Sequence, residues 1–113
     1  MKTDALVPPV TTRVRFSLSD RFKVPEQPGC YALASHDGDV LYVGLATNLR
    51  RRLRDHRESD EKRAAAKGRR ADWFHFALCA GPELPRVERG WMNQYETLHG
   101  ELPPMNKVYS PLA

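Results

Sequence analysis

Residues 29–44 read Gly29-Cys30-Tyr31-Ala32-Leu33-Ala34-Ser35-His36-Asp37-Gly38-Asp39-Val40-Leu41-Tyr42-Val43-Gly44. Two short apolar runs flank Asp37-Gly38, a pair suited to the positive φ values of a tight turn, so an antiparallel hairpin is expected here. With Asp37 and Gly38 as a two-residue loop, Tyr42 falls opposite Leu33 and Gly44 opposite Tyr31. A longer loop would shift that register. Side chains alternate along a strand, which places Tyr31, Leu33, Tyr42 and Gly44 on one face with the tyrosines as diagonal neighbours. Two such aromatics most simply fill a core. The alternative is a pair of phenols presented together, beside a glycine that leaves room for a ligand.

Upstream of the hairpin, residues 1–9 are expected to fray. Val10 to Leu18 alternates, with Val14, Phe16 and Leu18 apolar against Arg13, Arg15 and Ser17, the pattern of a half-exposed strand. Ser19 to Pro28 is a connector holding Pro25 and Pro28. Downstream, Thr47 or Asn48 can cap a helix running to Arg57, and the charged, alanine-rich stretch from Ser59 to Gly68 suits a second short helix or turn. Trp73 to Cys79 reads as a third strand of the central sheet. Pro85 suits the first turn of a last helix that Gly100 stops after His99. Leu102 to Lys107 is extended and must lie back on the body to be ordered. The expected fold is α+β: a small antiparallel sheet of about three strands, with a candidate N-terminal strand, flanked by helices. Residues 1–27 form the tail, extra strand and connector, and residues 28–113 the domain proper.

A chain of 113 residues suffices for one modest core. Its 18 Lys and Arg against 14 Asp and Glu give a net charge of +4, compatible with a nucleic-acid partner. Thirteen of those cations are arginine, the side chain suited to forked phosphate contacts. Neither a signal peptide nor a transmembrane run is legible, and Cys30 and Cys79 sit in apolar strand-like runs as free thiols, so a cytoplasmic protein without a membrane partner is the expectation. The two cysteines alone cannot make a zinc site.

On the first helix Ala46, Leu49 and Leu53 form the apolar stripe. Arg52 and His56, four apart, lie side by side; His56 falls about 20° from Leu49 and Arg52 about 60° from it, on the shoulder of the buried face. Arg50, Arg51, Arg54 and Arg57 spread over the open side. Singly each is a solvated cation, but together they suit a phosphate backbone, as do Arg69 and Arg70 ahead of the third strand. The last helix holds an anomaly. With Val87 at zero, Leu98, Trp91, Tyr95, Glu88 and Met92 fall within an arc of about 140°, so Glu88 lies among apolar side chains. A buried carboxylate must be neutral, paired or bound to a cation. A salt bridge to Arg52 is the structural explanation, and it is compatible with an active site. Gly90 is expected to let this helix approach the sheet closely.

These residues together resemble the GIY-YIG nuclease domain, shared by excision-repair nucleases, some homing endonucleases and some restriction enzymes. Gly29-Cys30-Tyr31 is similar to the first half of the motif and Tyr42-Val43-Gly44 to the second. Arg52, ten residues beyond Tyr42, matches the family's catalytic arginine, and His56 a histidine of the homing and restriction branches. Glu88-Arg89-Gly90-Trp91-Met92-Asn93-Gln94-Tyr95 is similar to the helix carrying the metal-binding glutamate, with Glu96 as the rival if the alignment slips. Pro103 to Asn106 matches a closing element. Many members carry lysine where this chain has Leu45, so this protein either lacks that cation or replaces it with a nearby arginine.

The resemblance implies metal-dependent hydrolysis of a DNA phosphodiester bond. Glu88 would hold one Mg²⁺ (or Mn²⁺), an ion that takes few protein carboxylates and keeps several waters. Tyr31 or Tyr42 would activate or position water, Arg52 would clamp the scissile phosphate, His56 would take a proton, and Asn106 would orient a neighbour. The alternative is a weak or inactive GIY-YIG-like module that binds nucleic acid without cutting it. No appended recognition domain is legible, so specificity is expected from the domain's own surface, a partner protein or self-association.

Overall fold

The computed structural model describes residues 1–106. Four antiparallel strands form one sheet: β1 (Thr12–Arg15), β2 (Gly29–Ala34), β3 (Val40–Ala46) and β4 (Trp73–Leu78), ordered β1-β4-β2-β3. Three helices accompany them: α1 (Leu49–Arg57), the single-turn α2 (Asp60–Arg63) and α3 (Leu84–His99). The expected α+β class is the one observed, and the N-terminal strand is present as the outer strand beside β4. None of the helices among the described residues is long and apolar enough to cross a membrane.

Two cores lie on opposite faces of the sheet. Tyr31, Leu33, Phe74 and Phe76 face Leu49 and Leu53 of α1, whereas Cys30, Ala32 and Val43 face Leu84, Trp91 and Met92 of α3. All six residues of β2 are therefore buried, as a strand paired on both edges and covered on both faces requires. β1, at the edge, buries Val14 alone. Its pairing stops at Arg15, because Ser17 and Asp20 turn the chain through side-chain hydrogen bonds. Leu18, expected on the buried face, is consequently exposed.

The hairpin keeps the expected pairs, Tyr31 with Gly44 and Leu33 with Tyr42, but by another route. Its loop is longer than two residues. Ser35 N–H donates to Asp39 O, Gly38 N–H donates to Ser35 O, and Gly38 takes φ +87°. That loop alone would shift the register by one; Ala34 accordingly pairs with Val40. A bulge between Leu33 and Ala34 then restores it, leaving Leu41 as the extra residue on β3. Because of that insertion Leu41 and Tyr42, adjacent in sequence, both turn to the α1 side.

The N-terminal segment is no frayed tail. Val40 N–H donates to Met1 O, Thr3 N–H donates to Gly38 O, and the Trp91 indole donates to Pro8 O. Leu6 is wholly buried in the α3-side core. Asn48 caps α1 by accepting from Arg51 N–H at 3.1 Å, and Ser59 caps α2 in the same way. Pro85 lies in the first turn of α3 and Gly100 ends it at φ +76°, both as expected. Gly90 sits in open space, so close approach to the sheet is not its purpose. The free cysteines are as expected, with Cys30 buried and Cys79 half-buried. Residues 101–106 do return to the body, where Met105 is buried and its N–H donates to Leu41 O. Lys107, the last residue of the expected extended segment, lies outside the described residues.

Candidate active site

Tyr31 and Tyr42 meet on the α1 face with ring centroids 6.0 Å apart. Tyr31 exposes 1% of its surface and stacks on Phe74 at 5.0 Å. Its hydroxyl lies 2.5 Å from Nε2 of His56, which exposes 8%. The edge of the His56 ring meets the Tyr42 ring at 5.2 Å, and Tyr42 itself is half-buried. Three rings thus form one cluster, with Tyr31 at the back and Tyr42 at the mouth.

Gly44 explains how the Tyr31 ring fits. A Cβ at position 44 would stand 2.5 Å from the Tyr31 hydroxyl and 2.6 Å from its Cζ. The space over Gly44 is occupied by that phenol, so it is not the opening for a ligand that a bare glycine suggests. Gly29 answers to the same need on the partner strand, where a Cβ would lie 2.5 Å from Ala77 O beneath Leu49.

Electrostatics separate the groups. Burial, then the charges of Lys62 and Arg52, lower the His56 pKa to about 4, so the ring is neutral near pH 7. Burial holds Tyr31 protonated well above its ordinary range, with Tyr42 and Glu88 adding to the shift and Arg52 opposing it. Tyr42 is raised too, again by burial first. The neighbouring Tyr31 hydroxyl and the positive charge of Arg52 pull it back, and Glu88 pushes it up. Arg52 is exposed at the mouth of the cluster, with its neighbour His56 turned inward, so the pair straddles the edge of the buried face as the helical spacing implies.

Glu88 exposes 1% of its surface. The buried residues of α3 are Leu84, Glu88, Trp91, Met92 and Tyr95, an arc whose centre is close to Glu88 itself. Leu98, expected inside the arc, is 64% exposed and Val87 is half-buried, so the buried face is rotated toward the carboxylate. Glu96, the rival glutamate, is exposed. Glu88 approaches from the opposite side of the sheet from the tyrosines, and its charge acts on both phenols and on the Cys30 thiol. Burial is the main cause of the Cys30 pKa being pushed up to about 12, with Cys79 and Glu88 adding to it. No cluster of three metal-ligating His, Cys, Asp or Glu side chains exists among the described residues. A lone carboxylate suits a hard divalent ion that keeps most of its waters, and does not suit a closed zinc site.

Asn106 lies on the outer edge of β3. Its Oδ1 accepts from Val43 N–H and its Nδ2 donates to Val43 O, each at 2.9 Å. This holds the backbone next to Tyr42, without contact to the rings. Of the expected nucleic-acid cations, Arg51 and Arg54 are exposed on α1. Arg50 is not on the open side: its Nε donates to Val24 O at 2.8 Å and it pairs with Glu26. Arg57 lies over the Phe16 ring at 5.2 Å, Arg69 pairs with Asp39, and Arg70 is exposed.

Lys62 is the residue that sequence reasoning missed. Its Nζ lies 4.3 Å from the centre of the Tyr42 ring and donates to Met105 O at 3.3 Å, in a side chain that is nearly buried. The extra cation at the tyrosines is thus a lysine from α2 as well as an arginine, while Leu45 turns to the α3-side core. The Ser59 cap three residues before it was a usable signal for where α2 starts. The break between α1 and α2, however, removes the helical phase that would have aimed Lys62 at Tyr42.

A family model described as the GIY-YIG catalytic domain matches residues 27–101. Among curated relatives, UvrABC system protein C of Porphyromonas gingivalis is 60% identical over 30 residues, covering 26% of this chain and 5% of that protein. The protein of the same name from Methanospirillum hungatei is 47% identical over 34 residues, 30% of this chain and 6% of its own length. That from Lactobacillus helveticus is 41% identical over 49 residues, 43% and 7% respectively. The chain therefore spans less than a tenth of these relatives.

Proposed function

Because the chain belongs to the GIY-YIG catalytic-domain family, we propose that this nuclease domain is a metal-dependent endonuclease that hydrolyses a phosphodiester bond in DNA. One observation carries the reading: the Tyr31 hydroxyl is hydrogen-bonded to the neutral His56 and both rings pack against Tyr42 beside Arg52, and the buried face of α3 is centred on a carboxylate whose charge reaches both phenols.

Tyr42, at the mouth of the cluster, is the residue that receives the proton of the attacking water. It acts as a phenolate and becomes the neutral phenol on taking that proton; the Tyr31 ring packs beside it, and His56 fixes the Tyr31 hydroxyl from behind. Arg52, exposed and beside the phenols, clamps the scissile phosphate and stabilises its growing charge. Lys62 holds the Tyr42 ring through a cation–π contact and favours the phenolate by proximity. Asn106 positions the Val43 backbone and hence Tyr42. Glu88 would hold Mg²⁺ (or Mn²⁺), which would stabilise the leaving oxygen and offset the carboxylate charge that adds to the upward shift burial gives both phenols.

The test is cleavage of plasmid, single-stranded, nicked and branched DNA in Mg²⁺, Mn²⁺ or EDTA. Metal-dependent cutting that Glu88→Ala and Arg52→Ala each abolish is the expected result. Binding without cutting of any substrate would overturn it in favour of an inactive binding module.

A further inference from the structure

The loop between β1 and β2 carries Phe22 with 65% of its surface exposed, a large aromatic left outside both cores. The loop around it is well tied. Ser17 and Asp20 close its first turn, Val24 is fully buried, Arg50 Nε donates to Val24 O, and Leu49 N–H donates to Gln27 O. Phe22 is thus presented outward by an anchored segment. The guanidinium of Arg21 lies 4.3 Å from the ring centre and that of Arg50 5.5 Å from it. Beside the ring a cavity of about 260 Å³ is lined by Phe22, Asn48, Arg51 and Arg54, with Glu26 paired to Arg50 at its rim.

An exposed ring beside two guanidinium groups and further exposed arginines is the chemistry that holds a nucleobase while its phosphates are neutralised. Glu26 keeps Arg50 from a phosphate and leaves that contact chiefly to Arg51, with Arg54 sharing its charge with Asp55 at 3.5 Å. Those arginines belong to α1, the helix whose other side presents Arg52 and His56 to the tyrosines. The helix is about 10–12 Å across with side chains, so a base on Phe22 lies a few nucleotides along the strand from the bond at Arg52.

We propose that Phe22, flanked by Arg21 and Arg50, is a stacking platform for an unpaired base of the DNA, so that the domain favours strands opened near the cut over intact duplex. The inference rests on the nuclease reading and deepens it.

The experiment measures binding in EDTA, where no cutting occurs, of a 2-aminopurine-containing single strand of about 15 nucleotides and of its duplex. Wild-type protein is expected to quench the single-strand fluorophore and to bind the single strand more tightly than the duplex. Phe22→Ala should weaken single-strand binding about tenfold, leave duplex binding and the salt dependence unchanged, and melt as wild type; Phe22→Trp should restore it. Equal single-strand binding by wild type and Phe22→Ala would overturn the platform and leave the nuclease reading standing. Failure of wild type to bind either DNA would overturn both.

Discussion

The Tyr31 hydroxyl and Nε2 of His56 lie 2.5 Å apart in a site from which both residues almost exclude solvent. Neither polar atom has water to fall back on, so the bond is structural as well as chemical. His56→Phe should cost about 1–3 kcal/mol by leaving a buried hydroxyl unsatisfied, whereas His56→Gln, able to keep a partner there, should lose less. Urea denaturation of the two variants at neutral pH checks the order.

Acid should destabilise the protein in a defined window. His56 and His75 are both held near pKa 4, chiefly by burial, against an ordinary value of 6.5. Above the ordinary value both are neutral in either state and their contribution is fully present. As pH falls from about 6.5 to about 4 the unfolded chain takes up protons that the folded one refuses, and up to about 3 kcal/mol per histidine is lost. Denaturation midpoints at several pH values should show that loss, and His75→Leu should make the curve shallower.

Cleavage should speed up with pH. Tyr42 is raised above its ordinary value of 10.0, and His56 has already lost its proton at about 4. Single-turnover rates should therefore climb with a slope near one between about pH 6 and about pH 9, with no inflection from His56 in that range. Tyr42→Phe should reduce the rate about 10²- to 10⁴-fold and flatten the profile.

Gly44→Ala puts a methyl group where the Tyr31 phenol lies. The ring is trapped between Phe74 and His56, so it cannot swing clear without breaking their contacts. A loss of about 1–3 kcal/mol in stability and a larger proportional loss of activity are expected. A circular-dichroism melt with a parallel cleavage assay reads both.

Lys62→Met should lower the cleavage rate by about 10- to 100-fold. It should also raise the His56 pKa, because the Lys62 charge is one of the causes of its depression. An imidazole titration by NMR distinguishes this from simple loss of packing, and Lys62→Arg should recover part of both effects.

Much of this architecture was legible where the physics is local. The turn at Asp37-Gly38, the Asn48 cap, the stop at Gly100 and the burial of Glu88 each follow from a residue's own backbone preference or from helical phase. The rest depended on contacts distant in sequence. Leu6 lies in a three-residue apolar run, Ala5 to Val7, between Asp4 and Pro8, and only the groove beside α3 makes it core. The Leu41 bulge compensates a loop that was one residue longer than expected, so the right tyrosine pairing arose from two offsetting differences. Leu98 was assigned to the buried arc because periodicity fixes relative angles but not where the arc is centred. Lys62 reaches Tyr42 only because a second helix starts at Ser59.

Asn106 has a consequence beyond the site. β3 is an edge strand, and an edge strand's unpaired N–H and C=O groups invite pairing with another chain. Here one side-chain amide satisfies both backbone groups of Val43, with Met105 N–H taking the carbonyl of Leu41 nearby. The segment thus imitates a neighbouring strand over its shortest useful length. It leaves the edge already answered, so the protein guards itself against sheet-to-sheet association at the same point where it steadies the backbone beside Tyr42.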